Sequence, residues 1–179
     1  IRTKIGMVFQ HFNLVGNSTM KNPWDRHVCD SLQLLKFINT RSSKILDVGS
    51  GAGIPGIILS IMGCDNVLMI DSVKKKINFI NNIISDLGLK SLALAERVEK
   101  IKVPPQKYIV SRALAPLKTL ISYSLLLSNN QTSLLFLKGR NVNNEIAEAR
   151  KNFIFKHRLF ESKSSGGGFV LKINTFKKK

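Results

Sequence analysis

The densest chemistry in the chain lies in one run, Ile45-Leu46-Asp47-Val48-Gly49-Ser50-Gly51-Ala52-Gly53-Ile54-Pro55-Gly56. Alternate glycines at Gly49, Gly51 and Gly53 let the backbone turn sharply and keep side chains away from a ligand. Pro55 suits the first position of a following helix, where its missing N–H would be unpaired anyway. An acid, Asp47, stands just before the first glycine. A second acid, Asp71, ends the next apolar run, Val67-Leu68-Met69-Ile70, where a carboxylate can accept both hydroxyls of a ribose. Strand, glycine loop and helix in this order are how an α/β sheet makes a nucleotide-shaped cavity at the carboxyl ends of its strands. A structural turn without a ligand is the weaker reading, because strand, loop, helix and second acid all follow in sequence.

Two cofactors fit these residues. Gly51, Gly53 and Gly56 satisfy G-x-G-x-x-G, the dinucleotide fingerprint, a weak signal when alone. Asp47, Gly49, Gly51 and Gly53 also fit acid-x-Gly-x-Gly-x-Gly, which looks like the first motif of S-adenosylmethionine (SAM) methyltransferases. NAD and SAM share the adenosine ribose, so these residues specify an adenosine-type ligand and leave the choice between the two open.

The elements that must position this loop read as follows. Asn22-Pro23 opens a helix with a stripe Trp24, Val28, Leu32, Leu35 and Ile38. Ile45 to Val48 is a strand, Pro55 to Met62 a helix, and Val67 to Asp71 a second strand. Ser72 caps a helix to Leu87 whose apolar face is Val73, Ile77, Ile80, Ile84 and Leu87. Leu92 to Ala95 is a third strand, followed by a turn with Arg97, Val98 and Glu99. Tyr108 to Ser111, Pro116 to Leu127, Ser133 to Leu137 and Asn143 to Lys151 continue as strand, helix, strand, helix. Phe153 to Phe160 and Phe169 to Asn174 make a final pair around a flexible stretch, Ser162 to Gly168. The alternation predicts an α/β, doubly wound, mostly parallel seven-stranded sheet with a terminal antiparallel hairpin. The length suits a single domain over residues 1–179.

Lys and Arg total 28 against 11 Asp and Glu, a net charge of +17. So basic a domain favours a polyanionic partner, nucleic acid first. The charge clusters at Lys74-Lys75-Lys76, from Arg150 to Arg158, and at Lys177-Lys178-Lys179, the last expected as a flexible tail that grips phosphates without reading bases. The apolar runs are too short to span a membrane and no signal peptide is visible. Cys29 and Cys64 are too isolated for a disulfide framework or a zinc site. They read as buried thiols in a reducing, cytoplasmic compartment, and no metal is expected.

If the donor is a sulfonium, the acceptor can be narrowed. Amino-methylating enzymes share an Asn/Asp-Pro-Pro-aromatic motif after the fourth strand; here that strand ends in Ser111-Arg112-Ala113-Leu114, and Pro104-Pro105 precedes it. Cytosine C5 chemistry needs a thiolate nucleophile, and neither cysteine lies at that loop. No spaced lysine–acid tetrad for ribose methylation can be assembled. An acceptor that is already nucleophilic remains, guanine N7 among them, for which orientation and exclusion of water suffice without a general base. No catalytic residue is identifiable.

A longer series carries a resemblance. Phe12-Asn13-Leu14, Trp24-Asp25-Arg26-His27-Val28-Cys29-Asp30-Ser31-Leu32, the loop ending Ile54-Pro55-Gly56, Asp71-Ser72 with Lys75, Arg97-Val98-Glu99, Ser111-Arg112-Ala113 and Leu137-Lys138-Gly139, in this order, resemble the RsmG (GidB) family. These are bacterial small-subunit ribosomal RNA methyltransferases that modify guanine N7 with SAM. The resemblance runs from Phe12 to about Ile173. It implies cofactor contacts at Gly49, Ile54, Val98, Glu99 and Arg112, with Asp71 matching the acid that closes the second strand and Gly51 and Gly53 completing the loop. The Arg112 guanidinium would hold the methionine carboxylate or an RNA phosphate. Arg26, His27, Lys75 and Lys138 are candidate RNA contacts. Only Ile1 to His11 precede the Asn-Leu element, so segment 1–22 is expected to be shortened, and Val15 stands where the family has Thr. Two alternatives stand beside this reading: a basic RNA-binding relative that has lost methyl transfer, and an NAD-linked oxidoreductase, for which no His or Tyr-Lys pair suggests a hydride-transfer site.

Overall fold

The structure is a computed structural model and describes residues 3, 4, 6, 8, 24–164 and 167–179. Its strands are β1 (Ile45–Val48), β2 (Val67–Asp71), β3 (Leu92–Ala95), β4 (Tyr108–Arg112), β5 (Ser133–Lys138), β6 (Phe153–Glu161) and β7 (Phe169–Lys178). They form one 7-stranded sheet in the order β3-β2-β1-β4-β5-β7-β6. Pairs from β3 through β5 are parallel, and β7 inserts antiparallel between β5 and β6. The expected sheet and its terminal hairpin are both present.

Helices cover both faces, which is why β1 is buried along its whole length and reads as an unbroken apolar run around one acid. Side chains alternate across the sheet. Ile45 joins Ile57, Ile58, Met69, Ile77 and Ile80 on one face, under the helices α2 (Gly56–Ile61) and α3 (Lys74–Asp86). Leu46 and Val48 join Ile109, Leu117, Leu120, Phe136 and Ile146 on the other, under α4 (Leu117–Leu126) and α5 (Val142–Arg150).

Four local expectations are corrected. The helical segment before β1 runs as a π turn (Trp24–Cys29), α1 (Asp30–Gln33) and a 3-10 turn (Leu34–Phe37). Three windings in succession break the even helical period, so Val28, Ser31, Leu34 and Ile38 are buried while Leu32 and Leu35 pack at the margin. The Asn22-Pro23 cap lies outside the described residues. Pro55 sits one place before α2, as its N-cap. Ser72 does not cap α3. The Val73 N–H instead donates to Asp71 Oδ1 at 2.9 Å. Val73 itself is exposed, and the buried face of α3 is Ile77, Ile80 and Ile83. Finally, β7 continues through Lys178, and the Lys179 N–H donates to Asn152 O. Lys177 and Lys178 are strand residues with exposed side chains, because Ile154 and Phe153 of β6 offer them ladder partners.

Candidate functional site

The chain winds from β1 outward to β3, then crosses back to β4 on the other side of β1. Such a reversal opens a crevice at the carboxyl ends of the two flanking strands. Here β1 and β4 pair as far as Asp47 and Val110, and beyond that the Ser111 hydroxyl donates to Val48 O at 2.8 Å.

The glycine loop fills the β1 side of this crevice. Gly49, Gly51 and Gly53 have φ of +68°, +59° and +91°, a region L side chains rarely adopt. A Cβ on Gly53 would lie 2.6 Å from Ile57 Cγ1, so that glycine lets α2 close against the loop. A Cβ on Gly51 would meet nothing nearer than 4.0 Å, so this glycine presents bare backbone to open space. The loop is pinned to the end of β2: Ser50 N–H donates to Ile70 O at 2.9 Å and Gly51 N–H to Asp71 Oδ2 at 3.0 Å.

Asp71, buried at the end of β2, thus organises the loop. Its Oδ1 accepts from Val73, and its Oδ2 from Gly51 and, at 3.4 Å, from Lys76 Nζ. A carboxylate has about four acceptor directions. One remains on Oδ1, and departure of the half-exposed Lys76 would free a second. The turn with Val98 and Glu99 starts beside this strand end, where the Glu96 N–H donates to Asp71 O at 3.2 Å. Val98 is half-buried against the second core. Glu99 is exposed. Its own backbone N–H and then the Tyr123 hydroxyl hold its carboxyl below the usual range, and the same pairing pushes the Tyr123 phenol up. Ile54 is buried at the foot of the loop.

Asp47 points the other way, into the protein. It is wholly buried; its Oδ2 accepts the Gly56 N–H at 2.8 Å, and its Oδ1 has no hydrogen-bond partner among the described residues. Burial pushes its pKa up to about 7, against the opposing effects of the Gly56 and Ser50 hydrogen bonds and the Arg112 charge.

The β4 side of the crevice is a cavity of about 690 Å³, lined by the segment from Arg112 to Pro116, by Lys138, Gly139 and Glu145, and by Asp30, Ser162 and Phe169. Arg112 is half-buried at its edge. Ala113 follows with φ +54°, unusual for a residue with a side chain, and this turn lays Leu114 over the loop. A Cβ on Gly49 would collide with Leu114 Cδ1. Leu114 therefore touches the glycine loop while lining the cavity.

Lys138, expected to present its charge to RNA, is committed inside the protein. Its ammonium lies 2.6 Å from Glu145 Oε2 and donates to Ala115 O at 3.1 Å, and its side chain is 7% exposed. Glu145 Oε2 also accepts the Leu117 N–H at 2.7 Å, so this one carboxylate ties α5 to the start of α4 and to β5. The physical reason for the correction is the position of Lys138 at the end of a strand covered by α5. Lys75 is exposed on the first turn of α3, as a phosphate contact requires. Arg26 and His27 lie in the π turn; His27 is half-buried, and the side chain of Arg26 lies outside what is described.

Sequence reasoning missed the other wall of the cavity. The Ser162 hydroxyl donates to Asp30 Oδ1 at 2.7 Å, Gln33 Nε2 donates to Ser162 Oγ at 2.9 Å, and the Lys163 N–H donates to Gln33 Oε1 at 2.8 Å. The described part of the stretch expected to be flexible is clamped to α1. Nothing local in the sequence marks Ser162 as the partner of Asp30 and Gln33.

A family model described as rRNA small subunit methyltransferase G matches residues 5–167. The ribosomal RNA small subunit methyltransferase G of Dinoroseobacter shibae is 34% identical over 169 residues, 92% of this chain and 87% of that protein. The protein of the same name from Orientia tsutsugamushi (strain Ikeda) is 35% identical over 161 residues, 90% of this chain and 80% of its own length. In fold, a SAM-dependent methyltransferase from Aquifex aeolicus superposes with a TM-score of 0.68 at 18% identity, covering 94% of this chain and 98% of that one. The family model and both relatives match over most of the sequence, and the chain belongs to the rRNA small subunit methyltransferase G family.

Proposed function

We propose that this protein transfers the methyl group of SAM to N7 of a guanine in small-subunit ribosomal RNA. The observation that carries this reading is the adjacency made by Leu114: one side chain lies over Gly49 and also lines a cavity of about 690 Å³, a volume that suits a splayed-out base. The cofactor side suits SAM through the open backbone face at Gly51 and the free acceptor direction on Asp71, with Gly49, Gly53, Ile54, Val98, Glu99 and Arg112 as further candidate contacts. When bound, SAM would supply an electrophilic methyl group carried on sulfur.

What the protein contributes is placement. Guanine N7 carries a free lone pair at neutral pH, so no proton must be taken from the acceptor before attack. The loop and Asp71 hold the donor at one side of Leu114, and the cavity holds the base at the other. Arg112, at their boundary, suits a methionine carboxylate or a backbone phosphate through a forked contact. The exposed cations, Lys75 among them, with Arg26 and His27 as further candidates, hold RNA through its phosphates. Incubation with labelled SAM and small-subunit RNA, followed by nucleoside digestion, is expected to yield labelled 7-methylguanosine. Label on another nucleoside would move the acceptor, and SAM binding without label transfer would favour a binding module that keeps only the fold.

A further inference from the structure

We propose that Asp30 reads the acceptor base, its carboxylate accepting hydrogen bonds from N1–H and the 2-amino group on the Watson–Crick edge of guanine. This rests on the reading of the protein as a guanine-N7 methyltransferase and adds the residue that selects the base.

The charge inventory of the cavity leads to Asp30. Arg112 and Lys138 are its cations, and Glu145 and Asp30 its carboxylates. The Glu145 charge is neutralised by the Lys138 ammonium, on the same Oε2 that accepts the Leu117 N–H. Asp30 has no ion pair among the described residues. Both hydrogen bonds to it, from the Ser162 hydroxyl at 2.7 Å and from Gln33 Nε2 at 3.4 Å, fall on Oδ1. Oδ2 has no donor among the described residues. The Ser162 hydroxyl is itself fixed by Gln33 Nε2 at 2.9 Å and by the Ser164 N–H at 3.2 Å, so the carboxylate is held on a built support, on a half-buried residue of the cavity wall.

Guanine presents two adjacent donors on its Watson–Crick edge, N1–H and the 2-amino group. A carboxylate, an acceptor at both oxygens, matches that pair. Adenine offers an acceptor at N1 and no 2-amino group, so the same carboxylate would meet a lone pair. A base held by this edge turns the opposite edge, which carries N7, away from Asp30 and into the cavity. Recognition of an extruded base by its Watson–Crick edge is the general solution for enzymes that act on a single base.

The test pairs a protein change with an RNA change. Asp30→Asn keeps an oxygen to accept from Ser162 and turns an amide donor toward the base. Single-turnover methyl transfer to small-subunit RNA is expected to fall by at least tenfold while SAM affinity is unchanged. Inosine at the modified position keeps N1–H and N7 and lacks the 2-amino group. Wild-type protein is expected to methylate it several-fold more slowly than guanosine, and Asp30→Asn to show a guanosine-to-inosine ratio close to one. Because this ratio is taken within each protein, a general loss of stability does not imitate it. A wild-type preference retained in full by Asp30→Asn overturns the assignment alone. Wild-type protein that leaves small-subunit RNA unmethylated overturns the underlying reading and the assignment with it.

Discussion

The hydrogen bonds that shape the glycine loop span 9 and 20 residues of sequence, from Asp47 to Gly56 and from Gly51 to Asp71. Those that wall the neighbouring cavity span 129, 130 and 132, from α1 to the segment before β7. Two halves of one site are thus specified in different ways. The loop is a backbone device: glycine φ angles and two acids nearby in the chain produce it with few long-range terms. The cavity is a side-chain device, assembled where four separate segments meet, and its Asp30 and Gln33 wall depends on partners that local sequence does not announce. The difference teaches where each half is vulnerable.

A change that abolishes the first half and spares the second gives the largest effect. Gly51→Val forces a branched side chain into the left-handed region, at a cost of roughly 1–2 kcal/mol, and fills the face that stands open above the loop. SAM binding by calorimetry is expected to disappear while RNA binding at low salt stays near wild type. Retained SAM affinity would mean that the loop is not where the cofactor sits.

Asp47 offers a second way to separate the halves, through pH. Its carboxyl is raised from 3.8 to about 7 in the folded protein by burial. Below pH 4 it is neutral in both states and has no effect. As pH rises toward 7 the unfolded chain loses the proton first, so this group increasingly favours unfolding, by up to about 4 kcal/mol above pH 7. Asp47→Asn keeps an acceptor for the Gly56 N–H and removes the titration. Urea denaturation across this range should find the variant's advantage near zero at the acid end and growing toward neutrality. Parallel pH curves for the two proteins would show that Asp47 does not titrate there.

In the other half, Lys138→Met strands the Glu145 carboxylate and should cost about 2–3 kcal/mol, less than a fully buried pair because Glu145 keeps some solvent contact. Adding Glu145→Gln, which still accepts the Leu117 N–H, should recover most of that loss. SAM affinity should not change. A stable Lys138→Met protein with a shallower salt dependence of RNA binding would return Lys138 to the role of a phosphate contact.

The smallest effect is expected outside both halves. Lys177→Thr, Lys178→Thr and Lys179→Thr together preserve the β7 ladder and remove three exposed charges. If each meets a phosphate, the salt slope of RNA binding should flatten by about 2, at roughly 0.7–0.9 per contact. Unaltered slope would mean that RNA lies on another face. A deletion would confuse the result, since it would remove ladder residues.

The sheet, its order of strands and helices, the glycine loop and Asp71 were legible because periodicity, glycine placement and strand-end acids are local signals. The expected cap at Ser72 is displaced by one residue: Val73 is the N-cap of α3 and its N–H donates to Asp71, which also holds the loop. Lys177 to Lys179 read as a tail, because charge patterning does not reveal that β6 extends far enough to pair with Lys177 and Lys178. Lys138 read as an RNA contact, because burial beneath α5 is a property of the assembled sheet. Asp30 and Ser162 left no joint trace, being 132 residues apart.

The insertion of β7 between β5 and β6 sets an order of events during synthesis. Residues 45 to 71 can close the glycine loop soon after they emerge, since its partners are near in the chain. The cavity must wait for Ser162 and Phe169, and β6 has no neighbour in the sheet until β7 arrives. A chain ending short of β7 would leave β5 as an open sheet edge, β6 without a partner strand and the cavity without its Phe169 wall.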